Sequence, residues 1–150
     1  MTAFETAWQV PALPLIPHRP PMALVESLER ADENGAVIRS FVEAGSMFVR
    51  PDETVEPLAL LEIIAQACAA YGGWRTGKSG ETSKAAFLAG IRSFETVGKA
   101  EAGRAMKIEV MLTREFGGFH LFEGMLHQDG RQVARASIKA YHPPKESTDA

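Results

Sequence analysis

The chain has 150 residues, 45% hydrophobic and 23% charged, a balance that suits one globular unit and excludes a disordered or fibrous polymer. A net charge of −3 with no run of Lys or Arg gives no electrostatic case for a nucleic acid or an anionic membrane as partner. One cysteine excludes an intramolecular disulfide, and no stretch of about 18 apolar residues runs uninterrupted, so the expectation is a soluble, cytoplasmic chain without a membrane span or secretory leader.

The first 17 residues carry Pro11, Pro14 and Pro17, which bar a regular helix or a central strand. Residues 1–14 are therefore expected to form an extended arm. Met22 to Glu29 reads as one helical turn leading into a strand. Ala36 to Val42 is rich in β-branched and aromatic residues and follows Asn34-Gly35, so a first hairpin is expected there. Residues 43–56 read as a loop, and Pro57 suits the first turn of a helix, where its missing N–H is not needed.

The helix that follows carries the strongest signal. From Leu58 to Tyr71 only Glu62, Gln66 and Tyr71 bring strong hydrogen-bonding groups, and the first two share one face at i, i+4. A helix apolar nearly all round must be buried. An unpaired carboxylate there is costly, so Glu62 should be protonated, partnered or beside a cavity. Gly72-Gly73 is expected to end the helix. Cys68, among apolar neighbours, reads as a packing residue.

A polar connector at 76–84 leads to strands. Phe87 to Val97 is the first, Ala102-Gly103 a turn, Met106 to Arg114 the next, and Phe116 to Leu126 another, with Gly117-Gly118 expected as a bulge or bend. Asp129-Gly130 is a type I′ turn candidate that joins the last strand, Val133 to Tyr141. The tail at 143–150 is expected to be disordered. The sum is one α+β domain, an antiparallel sheet with one long helix inserted after its first hairpin. The helix has more apolar surface than one sheet face can cover, so a second copy, adding its sheet edge to edge, is expected to shield the rest.

Four stretches resemble the hot-dog fold and, within it, the hydroxyacyl–acyl carrier protein dehydratases of the FabZ and FabA type. Leu15-Ile16-Pro17-His18-Arg19-Pro20-Pro21 is similar to that family's L-x-P-H-R-x-P, and Leu60 to Ala67 to its L-x-E-x-x-A-Q-A helix motif. Phe87-Leu88-Ala89-Gly90-Ile91 is similar to its F-x-A-G-I, and Gly124 through Ala136 to its final hairpin. The resemblance implies a sheet wrapped around one buried helix. It also implies dehydration of a 3-hydroxyacyl thioester, carried on acyl carrier protein or coenzyme A, to a trans-2-enoyl thioester without metal or organic cofactor.

In that family the helix carboxylate protonates the leaving hydroxyl, and a histidine from the other subunit, in a loop before the helix, removes the α-proton. By resemblance Glu62 is the acid and Gln66 its orienter, while Phe48, Pro57, Leu58, Phe87, Ala89 and Gly90 border the substrate. The chain departs from the pattern in two places. Phe48 stands where the histidine belongs, with no histidine between His18 and His120, and Pro57 replaces the glycine whose N–H polarises the thioester carbonyl. The N–H groups of Leu58 and Ala59 remain as substitutes.

His18 is then either a replacement base or an anchor for its own segment. Retention of the P-H-R segment and helix motif with loss of the loop histidine resembles the divergent dehydratase-like proteins of aryl-polyene (type II polyketide) pathways. Two other readings remain: a hot-dog thioesterase using Glu62, and a non-catalytic subunit of an active dehydratase. The assembly is a homodimer or a hetero-oligomer with a second dehydratase.

Overall fold

Met106, Ile108 and Val110 are buried while Lys107 and Glu109 between them are exposed, the alternation of a strand with one covered face. The computed structural model describes residues 9–78 and 87–142, and this alternation builds one antiparallel sheet of seven strands in it. β1 (Val10–Pro11), β2 (Val25–Ala31) and β3 (Gly35–Ser40) precede the helix α1 (Pro57–Lys78). β4 (Phe87–Thr96), β5 (Met106–Phe116), β6 (Phe119–Gln128) and β7 (Arg131–Tyr141) follow it. The order across the sheet is β1-β2-β3-β5-β6-β7-β4, so α1 carries the chain over the covered face from β3 to the far edge.

Ile63, Ile64, Ala67 and Ala70 of α1 are fully buried in one core with Ile38, Ile108 and Leu126 of the sheet. Each isoleucine or leucine so buried stabilises by roughly 1.5–3 kcal/mol, and each alanine by less. The helix meets β6 at Gly124, where a Cβ would overlap the Ile64 Cγ2 methyl. This is the hot-dog arrangement that the resemblance implied, an α+β fold with the sheet wrapped around a single helix. Among the described residues no helix is long and apolar enough to cross a membrane. The expected disordered tail at 143–150, the first eight residues of the arm and most of the 76–84 connector lie outside the described residues.

Gly72-Gly73 does not end the helix, which continues for more than a turn to Lys78. The glycine at 73 serves a close approach instead: a Cβ there would collide with the backbone oxygen of Leu15, which packs against the helix. Gly73→Ala is therefore expected to destabilise by about 1–3 kcal/mol despite the better helix propensity of alanine. Thermal melting monitors this directly. An unchanged or raised midpoint would mean that the Leu15 segment simply yields.

The turns follow local chemistry with two differences from expectation. At the first hairpin Asp32 makes the turn, its Oδ1 accepting from the Asn34 and Gly35 N–H groups at 2.7 and 3.0 Å. Gly35 opens β3, where a Cβ would strike the Val110 carbonyl. Gly117-Gly118 forms a tight hairpin turn with φ of 55° and 83°, not a bulge. Asp129-Gly130 takes the same geometry, as expected of a type I′ turn, with φ of 53° and 76°. The helical turn expected from Met22 onward lies just before it, where the Arg19 carbonyl accepts the Met22 and Ala23 N–H groups at 2.9 and 3.1 Å. A single 3-10 turn lies upstream at Leu13–Leu15, and the chain enters β2 extended.

Candidate active site

Gln66 is fully buried, and its amide makes three hydrogen bonds. Its Nε2 donates to the Met22 carbonyl at 2.7 Å and to Glu62 Oε1 at 2.9 Å, while its Oε1 accepts the Leu24 N–H at 2.7 Å. A carbonyl on one side and an N–H on the other allow the amide only one orientation. Ser40 Oγ adds a bond to the Leu24 carbonyl at 2.6 Å, which ties the same segment to β3. Both bonds to the segment before β2 keep it extended, because they occupy backbone groups that a helical turn would use.

Glu62, one turn earlier, lies at the edge of the buried surface with its side chain 39% exposed. It belongs to a stripe of Leu58, Leu61, Glu62, Ala65 and Ala69 that the sheet leaves partly or wholly uncovered. The carboxylate is thus partnered within the chain, and it is not sealed from solvent by this chain alone. His18 reaches it from the N-terminal segment, with Nε2 at 3.5 Å from Oε1. Both contacts of the carboxylate fall on the same oxygen.

An anchor for the segment is also supplied by the neighbour of His18. Arg19 NH1 donates to the carbonyls of Leu13, Ile16 and His18 at 3.1, 2.9 and 2.7 Å, gathering the segment about one guanidinium. His18 Nδ1 is buried without a hydrogen-bond partner.

At the start of α1, Glu56 closes the first turn by accepting from the Ala59 and Leu60 N–H groups at 2.9 and 3.2 Å. The Ala59 N–H is therefore spent, in contrast to the sequence expectation. Pro57 has no N–H, and among the described residues no backbone acceptor takes that of Leu58, a residue 75% exposed. Leu58 and Glu62 share a helix face, about 6 Å apart along the axis. Phe48 packs partly buried against the core, and the loop at 43–56 holds no histidine.

The remaining candidates stand elsewhere. Phe87, Ala89 and Gly90 lie at the start of β4, with Gly90 opposite Lys139, three residues along β7 from Ala136, the neighbour of Gly124. That places them roughly 10 Å along the sheet from where Ile64 meets it. Within one protomer the structure groups Glu62, Gln66 and His18, sets Leu58 one turn away, and leaves the β4 residues apart.

A cavity beside Glu62 was one expectation, and a groove of about 580 Å³ opens instead near the other helix end. Trp74, Arg75, Leu112, Arg114 and Glu115 line it with the tip of the first hairpin. Trp74 lies about 18 Å along the helix from Glu62. Sequence reasoning missed this groove because it stopped the helix before Trp74. Burial works against ionisation of Glu115, but the Arg75 charge and a 2.8 Å hydrogen bond with His120 outweigh it and lower its pKa.

Beneath the groove Tyr71 is buried, its hydroxyl donating to the Asp32 carbonyl at 2.6 Å, and burial pushes its pKa from 10.0 up to about 12 against the pull of Arg75. A phenol with a raised folded-state pKa contributes stability below pH 10 that is lost as the pH climbs toward 12. Spectrophotometric titration should show a late tyrosine phase, and Tyr71→Phe should remove it. A late phase that survives Tyr71→Phe, or none in the parent, would disprove it. Burial likewise pushes the Cys68 thiol up, as suits a packing residue.

Residues 10–150 match the family described as ApeP-like, ApeP dehydratase. The 3-hydroxyacyl-[acyl-carrier-protein] dehydratase FabZ of Anaeromyxobacter sp. (strain K) is 28% identical over 153 residues, covering 95% of this chain and 98% of that protein. The dehydratase heterocomplex ApeI:P from Xenorhabdus doucetiae superposes with a TM-score of 0.80 at 23% identity, covering 91% of this chain and 93% of that one. The PaaI protein of the E. coli phenylacetic acid degradation operon shares the fold at 14% identity and a TM-score of 0.63, over 77% of this chain and 81% of its own. The family match extends over the helix motif, the P-H-R segment and the final hairpin alike, and on it the chain belongs to the ApeP-like dehydratase family.

Proposed function

We propose that the chain dehydrates 3-hydroxyacyl thioesters, held on a carrier protein or coenzyme A, with Glu62 as the acid. The observation that carries this is the grip of Gln66 on Glu62 Oε1, with the free Leu58 N–H on the same helix face. The Leu58 N–H would receive the thioester oxygen as negative charge develops on it. A base removes the α-proton, the carbon–carbon double bond forms, and the Cβ–O bond breaks. Glu62 gives its proton to the departing oxygen, which leaves as water. The α-proton passes to solvent and Glu62 is reprotonated for the next turnover.

A second hot-dog chain completes the site in this reading. Leu88 and Ile91 sit on the helix side of β4, opposite Ala140 and Ile138, yet are 54% and 45% exposed. β4 is an edge strand ten residues long, and an exposed apolar edge of that length calls for a partner strand. The same partner would cover the Glu62 stripe and exclude water there. The partner is a second copy or a related dehydratase chain. Phe48 favours the latter, since a partner with a base in that loop supplies what this chain lacks. The reading places the work in the cytoplasm, and the thioesterase alternative lacks support from the family.

The purified chain should be incubated with a 3-hydroxyoctanoyl carrier protein, alone and mixed with a histidine-bearing dehydratase chain. Mass spectrometry of the acyl group should show loss of one water. Free acid would mean a thioesterase. Turnover by the mixture that does not depend on Glu62 would mean a non-catalytic subunit.

A further inference from the structure

His18 stands beside Glu62, yet its surroundings do not suit a base. Its Nδ1 is buried with no hydrogen-bond partner, whereas Nε2 faces the carboxylate at 3.5 Å. Glu62 Oε1 already accepts the Gln66 N–H, so it meets His18 Nε2 as an acceptor, and a lone pair on Nε2 would face it repulsively while an N–H there is attracted. The neutral ring therefore carries its proton on Nε2, and the unpartnered Nδ1 is the bare nitrogen. A nitrogen that already bears a proton has no lone pair with which to accept one from substrate.

We propose that His18 is a positioning residue: its Nε2–H joins the Gln66 Nε2–H at Glu62 Oε1 and leaves Oε2 as the oxygen that exchanges a proton with substrate. The inference rests on the reading of Glu62 as the proton-transfer group. Three features of the structure support it. The contacts of Glu62 converge on one oxygen. The backbone of His18 is fixed independently by Arg19, so the ring is not needed to hold the segment. The ring, like the carboxylate, keeps part of its surface open, at 31% and 39%. At 3.5 Å the contact is longer than a good hydrogen bond, and such bonds in unliganded sites commonly tighten when substrate binds.

The test has one arm that needs no catalysis and one that does. Imidazole 15N shifts of the purified protein, assigned by comparison with His18→Gln, should show the Nε2–H tautomer for His18 at neutral pH. The Nδ1–H tautomer would overturn the proposal even if dehydration fails in every assay. In the carrier-protein assay, alone or with the histidine-bearing partner, His18→Gln keeps an N–H near the Nε2 position and should hold kcat within about threefold of the parent. His18→Leu should lower kcat by roughly 10- to 100-fold with KM little changed.

If both variants are equally inactive while folded, His18 is a base or a donor that glutamine cannot replace, and the proposal falls. If both match the parent, it falls as well. No water loss in any mixture, together with the Nε2–H tautomer, would instead remove the dehydratase reading and leave the hydrogen-bond arrangement standing.

Discussion

Glu62→Gln should reduce dehydration by about 10³-fold, equivalent to roughly 4 kcal/mol of barrier, while the protein melts near the parent temperature. The amide is nearly isosteric with the carboxyl and can still accept from Gln66 at 2.9 Å, so the geometry around Oε1 survives. What disappears is an oxygen able to hold and release a proton. The partly exposed side chain makes a large stability penalty unnecessary. Steady-state kinetics with the carrier-bound substrate decides the matter. Retention of activity within about tenfold would show that the acid is another group.

Gln66→Leu should cost more in stability. Leucine fills similar space but abandons the Leu24 N–H and the Met22 carbonyl, both bonded at 2.7 Å. Each buried group left without a partner costs about 1–3 kcal/mol, so a loss of about 3 kcal/mol is reasonable for the pair. For a chain of this size that lowers the melting temperature by roughly 10 °C. Activity should fall further than unfolding explains, because Glu62 loses its tether. Calorimetry and kinetics at a temperature where the variant is still folded separate the two effects. An unchanged midpoint would mean that water or backbone shifts replace the amide without cost.

Much of this was legible in the sequence because local chemistry and tertiary structure agree. The alternation of Met106 to Val110, the Asp129-Gly130 turn and the apolar helix each announced themselves, and i, i+4 spacing alone put Glu62 beside Gln66. The failures share a cause. Gly35 and Gly73 were read as turn and stop signals, since glycine is most often placed for its backbone freedom. Here both make room for another strand or segment, a contact between residues far apart in sequence that no local pattern encodes. The approach of His18 to Glu62 is of the same kind, with 43 residues between them bridged by the folding of the N-terminal segment onto α1. The exposure of Glu62 also escaped, because a helix apolar all round does not reveal which side its own sheet will cover.

The side-chain grip on Glu62 draws on α1, on His18 and, through Gln66, on the backbone before β2. Among the described residues the loop at 43–56 hydrogen-bonds to α1 only at its first turn, where the Phe48 carbonyl accepts the Glu56 N–H at 2.8 Å and the Glu56 carbonyl accepts those of Ala59 and Leu60. A lineage could let the loop drift, even to a phenylalanine at 48, without loosening the acid. A histidine grafted back at that position would find its counterpart already in place.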